Sequence, residues 1–287
     1  MIEGILGNYL VETGKMTSIK LKNAMVRQND TRVKLGLIAV AEGYMTTEQA
    51  EEVNRLQATM DKRYGDIAVE KGYLTDNQVG ELLKKQGNAY LSFIQTLIDT
   101  GNLQMDEVDS ILSGIKDKYG LSDEELELMK ADDSEKIVPL LMPKETQEFS
   151  GIVTIMINTL IRMIDRYAFI KDVKVVEGCP KCEQVSQAME GENGIVDVLS
   201  EVDGGLITCA CFFGQEDFID VDEDSLDAAA EFLNITNGLY VSDLSKKGHF
   251  LELMPPCYEP ISPKGPVFCE VTAVVRGLSL HYTVAAL

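Results

Sequence analysis

Asp227, Glu231 and Asn234 stand at i, i+4 and i+7 in a stretch of helical period, so they line one polar stripe with a carboxylate and a carboxamide a turn apart. A carboxylate can hold a cationic side chain, and a carboxamide accepts and donates at once. Asn prefers caps and turns, yet Asn234 and Asn237 occupy adjacent turns of this stretch. The same residues also fit a solvated helix face that ends at Asn237-Gly238. A second set of candidates lies earlier in the chain, where Lys34-Leu35-Gly36 and Arg63-Tyr64-Gly65 open two apolar segments and Gln57 and Gln86 close the segments that follow. Cys179-Pro180-Lys181-Cys182 has the spacing of half a zinc site, but the other cysteines, Cys209, Cys211, Cys257 and Cys269, supply no second pair of matching spacing, so no metal site is predicted.

The elements that must position the stripe can be read from period. A helix is predicted over 225–238, with Leu226, Ala229, Ala230 and Leu233 on its apolar side and Asp222, Glu223 and Asp224 before its positive end. An earlier helix is predicted over 148–164, where Ile152, Ile155, Met156, Thr159, Leu160 and Met163 share a side. Residues 173–176, 195–199, 206–213, 249–253, 267–275 and 278–284 read as strands, with hairpin turns at Asp203-Gly204-Gly205 and Gly277. Cys209 and Cys211 would then share one strand face. The second half is thus expected to be a two-layer domain, a mostly antiparallel sheet with two long helices on one face.

The first half repeats. Gly14, Gly43, Gly72 and Gly101 recur every 29 residues, preceded by Leu10, Ala39, Ala68 and Leu97 and followed by Met16, Met45, Leu74 and Leu103. Thr46 with Gln49 and Thr75 with Gln78 have the spacing of capping boxes. Each unit is therefore expected to be a helix stopped by a left-handed glycine, then a turn and a second helix, with stacking needed to bury the apolar faces. The predicted fold class is α+β in two domains: an all-α array of four 29-residue helical hairpins over 1–120, an acidic, proline-bearing linker with one short helix over 121–145, and the sheet domain over 146–287.

Net charge is −21, with 14 basic against 17 acidic residues up to Gly120 and 12 against 30 beyond it. Such a field repels phosphate backbones, so no nucleic-acid partner is expected, and a basic protein surface fits better. The longest apolar stretch, 151–164, is interrupted by Asn158 and Arg162 and is shorter than a bilayer span, and the start of the chain lacks a signal pattern. No membrane insertion and a cytoplasmic location are the expectation.

The spacing Asp227-x-x-x-Glu231-x-x-Asn234 is similar to the dephosphorylation motif of the CheC, FliY and CheX chemotaxis phosphatases. Gly238-Leu239-Tyr240 and Leu251-Glu252-Leu253-Met254-Pro255-Pro256 look CheX-like as well. The resemblance covers about 146–287. It implies a phosphatase acting on the aspartyl phosphate of a CheY-type response regulator, in chemotaxis or two-component signalling. Asn234 would hold the attacking water, Glu231 would pair with the regulator's lysine, and Asp227 would serve docking. Mg2+ would come with the substrate, and the phosphatase would have no cofactor of its own. Strongly active relatives often carry two copies of the motif. This chain has one, as CheX proteins that work as homodimers do.

The N-terminal units resemble the MshEN repeats of type II secretion and pilus ATPases, some of which bind cyclic di-GMP. In those an Arg-Leu-Gly opens each motif and a Gln closes it. Here the openings are Ile5-Leu6-Gly7, Lys34-Leu35-Gly36 and Arg63-Tyr64-Gly65, so only Arg63 keeps the two-pronged phosphate ligand. The residues the resemblance implicates in nucleotide binding are Lys34, Arg63, Gln57 and Gln86. The alternative function is a non-catalytic docking or scaffold protein whose repeats bind cyclic di-GMP or a protein partner.

Overall fold

The computed structural model describes residues 1–28, 31, 33–60, 62–259 and 267–287. Among these residues are thirteen α-helices and one antiparallel sheet of six strands, and no helix is long and apolar enough to cross a membrane. The chain divides into two compact units, one of Leu6–Asp132 with Ile2, the other of Asp133–Leu287 with Met1 and Glu3–Ile5.

Through Asp132 the chain is helical: α1 (Ile2–Glu12), α2 (Ser18–Gln28), α3 (Leu35–Ala41), α4 (Thr47–Gln57), α5 (Tyr64–Glu70), α6 (Asp76–Lys84), α7 (Ala89–Asp99), α8 (Val108–Tyr119) and α9 (Asp123–Lys130). Gly14, Gly43, Gly72 and Gly101 follow α1, α3, α5 and α7 with φ between +69° and +73°, the left-handed conformation in which a side chain is strained. Thr46 and Thr75 accept from the backbone N–H of Gln49 and Gln78, whose side chains accept in return from the Thr46 and Thr75 N–H. The residues that flank the glycines, Leu10, Ala39, Ala68 and Leu97 before and Met16, Met45, Leu74 and Leu103 after, are all buried. Each buried leucine or methionine of this set stabilises the unit by about 1.5–3 kcal/mol.

The second unit contains α10 (Ser134–Leu141), a 3-10 segment (Lys144–Phe149), α11 (Ser150–Met163), β1 (Phe169–Val176), β2 (Gln184–Gly191), β3 (Ile195–Asp203), α12 (Gly205–Gly214), α13 (Glu223–Lys246), β4 (Leu251–Leu253), β5 (Phe268–Val275) and β6 (Leu278–Ala286). The strand order is β1-β5-β6-β3-β2-β4, antiparallel throughout. Helices α11, α12 and α13 pack on the sheet and on one another, α12 against β3 and β6 and α13 against β2 and β4. The tight turn between β5 and β6 places Arg276 and Gly277 at φ +50° and +86°.

Three expectations are corrected. Residues 206–213, expected as a strand after a hairpin turn, form α12, so three helices rather than two cover the sheet. Leu206, Cys209 and Ala210 are buried at i, i+3 and i+4, and the Glu201 carboxylate accepts from the N–H groups of Gly204 (2.5 Å) and Ile207 (3.1 Å), holding the start of the helix. A Cβ on Gly205 would lie 2.3 Å from the Ser279 carbonyl oxygen and 2.5 Å from Leu280 Cα, so only glycine lets the helix start against β6. Cys209 and Cys211 accordingly diverge around a helix: Cys209 is buried, and Cys211 Sγ donates to the Phe218 carbonyl at 3.6 Å.

The second correction concerns 121–145. Beyond α9, residues 134–141 form α10 rather than linker, with Ile137 and Val138 buried, Asp133 accepting from the Glu135 N–H at its start, and Pro139 in its last turn. The third is β2, which has no counterpart among the expected strands. Its buried residues include Gln184, Ser186 and Gln187, so the polar and apolar alternation that marks a half-buried strand is missing.

Candidate functional site

Helix α13 carries the polar stripe and is longer than expected. Asp222 accepts from the Ser225 N–H at 2.9 Å, while Ser225 Oγ accepts from the Asp222 N–H at 2.8 Å. The helix then runs to Lys246, so Asn234 and Asn237 lie in its interior and the ending at Asn237-Gly238 is not what the chain does. Phe232 and Leu233 anchor the apolar side among the fully buried residues.

Asn237 is 0% exposed and reaches down to the sheet. Its Nδ2 donates to Gln187 Oε1 and to Asp197 Oδ1, both at 2.9 Å. Gln187 on β2 and Asp197 on β3 are direct register partners, so one carboxamide bridges a buried polar pair across two strands. Tyr282 on β6 donates its hydroxyl to Asp197 Oδ2 at 2.9 Å. On the other side Gln187 Nε2 donates to Asn234 Oδ1 at 2.7 Å and to the Met254 carbonyl at 2.9 Å. Asn234 Nδ2 leans toward Glu231 Oε1 at 3.5 Å, the limit of a hydrogen bond. A continuous chain therefore runs from Tyr282 in the core through Asp197, Asn237 and Gln187 to Asn234 and the exposed Glu231.

The ionised form of Asp197 sets the directions of these bonds. With Asp197 ionised both its oxygens accept, so Asn237 must point its nitrogen inward, and Gln187 must then present oxygen to Asn237 and nitrogen to Asn234. Full burial pushes the Asp197 carboxyl up to about 7, against the pull of the Asn237 and Tyr282 hydrogen bonds. Burial also drives the Tyr282 hydroxyl well above its ordinary value. Asn234 is left with one lone pair on Oδ1 and one hydrogen on Nδ2 available to a ligand.

The segment after β4 runs beside this stripe. Met254 N–H donates to the Ala188 carbonyl, Cys257 and Ser186 exchange backbone hydrogen bonds at 2.8 Å, and Pro255 and Pro256 lie between. Tyr258 donates its hydroxyl to Asp227 Oδ1 at 2.8 Å. Burial first, and that bond second, push the Tyr258 phenol up to about 12. Asp227, Glu231 and Asn234 thus share one face as the spacing predicts, with Asp227 engaged by Tyr258 and Glu231 exposed. Sequence reasoning missed Gln187 and Asp197 and left Asn237 between a mid-helix position and a cap. The signal at Asp197 was a lone carboxylate in the apolar run Ile195-Val196-Asp197-Val198-Leu199.

The N-terminal candidates fall into two pairs, Lys34 with Gln86 and Arg63 with Gln57. Lys34 Nζ pairs with Asp99 at 2.7 Å, and its N–H donates to Gln95 Oε1 at 3.1 Å. Gln86 Nε2 donates to the Val33 carbonyl at 3.0 Å, next to Lys34, and Gln57 Nε2 to the Lys62 carbonyl at 3.4 Å, next to the exposed Arg63. Among the described residues no group of three or more His, Cys, Asp or Glu side chains could hold a metal ion. Cys179 packs against the buried cluster of Val196, Phe268 and Ala285, and burial pushes its thiol up to about 11.

No protein-family model matches this sequence, and no curated protein does. Similar solved structures cover about half of the chain and are CheX-, CheC- and FliY-like chemotaxis proteins. The chemotaxis protein CheX from Desulfovibrio desulfuricans is 15% identical with a TM-score of 0.41, over 48% of this chain and 98% of that one. CheX from Borrelia burgdorferi, solved as a CheX-CheY-BeF3-Mg2+ complex, is 20% identical with a TM-score of 0.37, over 48% and 96%. FliY from Thermotoga maritima is 19% identical with a TM-score of 0.37, over 50% and 91%.

Proposed function

We propose that this protein hydrolyses the aspartyl phosphate of a CheY-type receiver domain. The observation that carries the reading is the Asn234 carboxamide, held mid-helix by Gln187 one turn after an exposed carboxylate, with one acceptor and one donor position open. Those two positions are what a neutral water needs to be held with a lone pair aimed at phosphorus. The water oxygen bonds to phosphorus and the bond to the aspartyl oxygen breaks. The regulator's carboxylate leaves with its electron pair, and both hydrogens of the water depart with inorganic phosphate, one of them exchanging with solvent. Mg2+ and the cation that neutralises the leaving oxygen belong to the regulator, so no nucleophile on this protein is required. Glu231 holds the regulator's lysine in a charge-assisted contact, and Asp227, braced by Tyr258, adds to the docking face.

A homodimer of this one-motif chain would present two such faces. The first unit we read as an array of four hairpin repeats used for protein docking rather than for cyclic di-GMP, because Asp99 already occupies the ammonium of Lys34. The test is to phosphorylate a panel of receiver domains from the same cell with acetyl phosphate and follow phosphate release. Wild type should accelerate release from at least one receiver and the Asn234→Ala protein should not. Equal release by both would leave the domain as a docking module.

A further inference from the structure

Gln187 differs from the other residues around Asn234 because both hydrogens of its carboxamide are committed and its oxygen is committed as well. It lies on β2, 2% exposed, 47 positions before Asn234 in the chain. Its two N–H groups go to Asn234 Oδ1 and the Met254 carbonyl, and its oxygen receives Asn237 Nδ2. A side chain so tied has one orientation. Turning it over would set its oxygen against two acceptors and its nitrogen against a donor, so all three of its hydrogen bonds would be lost. Asn237 is fixed in turn by the Asp197 carboxylate, which also receives Tyr282. The Asn234 carboxamide has no comparable bonds of its own, since among the described residues its only other side-chain hydrogen bond is the 3.5 Å approach to Glu231.

We propose that Gln187, braced from below by Asn237 and the Asp197–Tyr282 pair, is a positioning residue that fixes which atom of Asn234 faces the reacting water. The proposal rests on the phosphatase reading for its consequence in rate, but the anchoring itself stands on the hydrogen bonds. With Gln187 in place Asn234 holds its oxygen toward the sheet and its nitrogen toward Glu231. Without it the carboxamide rotates freely about χ2, a torsion with broad and roughly two-fold preferences, and the two ends exchange. The cost is a loss of pre-organisation, which appears in kcat rather than in KM.

The experiment uses the full chain with two variants. Gln187→Met keeps the length and removes every polar contact. Gln187→Asn keeps a carboxamide but withdraws it from Asn234, and serves if the first fails to fold. The first readout is the Asn234 13Cγ resonance, which reports the hydrogen bond accepted by Oδ1. It should move in either variant, and an unchanged resonance overturns the anchoring whatever the activity. The second is turnover of a receiver phosphorylated with acetyl phosphate. The fall in kcat should be about 10- to 100-fold with KM within about 2-fold. In an Asn234→Ala background the same substitution should cause no further fall, because there is no carboxamide left to aim. An equal fold-loss in both backgrounds would show Gln187 to be merely structural and overturn its positioning role. A moved resonance in a protein that hydrolyses no receiver would sink the phosphatase reading and leave the anchoring intact.

Discussion

Carboxamides are put to different uses in the two units. In the helical unit Gln28, Gln57 and Gln86 each donate Nε2 to a backbone carbonyl, of Ala89, Lys62 and Val33 respectively. They act as staples, tying the end of one helix to a main-chain oxygen at or just before the start of another. In the sheet unit Gln187, Asn234 and Asn237 bond to one another and to a buried carboxylate, so each amide sets the direction of the next. A staple on a carbonyl stabilises a turn and has no further reach. A chain of amides that ends half-exposed transmits an orientation from the core to the surface, and its last member keeps capacity for a ligand. The same side-chain chemistry is structural in one unit and fits catalysis in the other because of what lies at the far end.

The largest effect should come from Asn234→Ala. Hydrolysis of the cognate phosphorylated receiver is expected to fall by a factor of about 100 or more. Stability should stay within about 1 kcal/mol, since alanine favours the helix while one hydrogen bond from Gln187 is lost. Stopped-flow turnover together with thermal melting checks both halves. A wild-type rate from this variant would erase the distinction between the two kinds of carboxamide.

Next comes the pH dependence set by Asp197, whose carboxyl is held at about 7 by burial. Raised above its unfolded value, this group contributes stability that is complete below about pH 4 and is lost as pH rises through about 7. The unfolding free energy should therefore fall by about 2–3 kcal/mol between about pH 5 and about pH 8 on its account. Asp197→Asn should flatten that slope while weakening one of the two bonds from Asn237 and Tyr282. Urea melts of both proteins across this range, showing parallel slopes, would contradict it.

A smaller change is expected for Glu231→Ala: KM for the regulator should rise roughly tenfold at low ionic strength, and the difference should shrink as salt is added. Chemistry at saturation should be little affected. Smallest is Gln28→Ala, which removes a staple. It should cost the helical unit about 1 kcal/mol in chemical denaturation and leave turnover as it was. A drop in turnover there would mean that the staples also feed the site.

Local grammar made part of this legible in advance. Thr46 with Gln49, Thr75 with Gln78 and the 29-residue glycine step are short-range signals, and the structure shows the caps and the positive φ values they call for. The stripe Asp227, Glu231 and Asn234 was legible for the same reason, being fixed by the helical repeat alone. The misreadings have long-range causes. Residues 206–213 are rich in residues that suit either element, and their helix is decided by Glu201 at its start and by the Gly205 contact with a strand more than seventy residues later. Gln187 and Asp197 gain their meaning from register and from Asn237, 50 and 40 positions away. No window along the sequence joins them.

The pairing of Gln187 with Asp197 also bears on how errors in folding would show. A slip of one residue between β2 and β3 sends the whole of β2 to the opposite face, so Gln187 would leave Asn237 and Asn234 at once. A wrongly paired domain could retain its helices and much of its hydrophobic interior and yet lose the aim of Asn234. The amide chain thus works as a proofreading device: only a sheet assembled in the right alignment holds the Asn234 carboxamide in its single orientation.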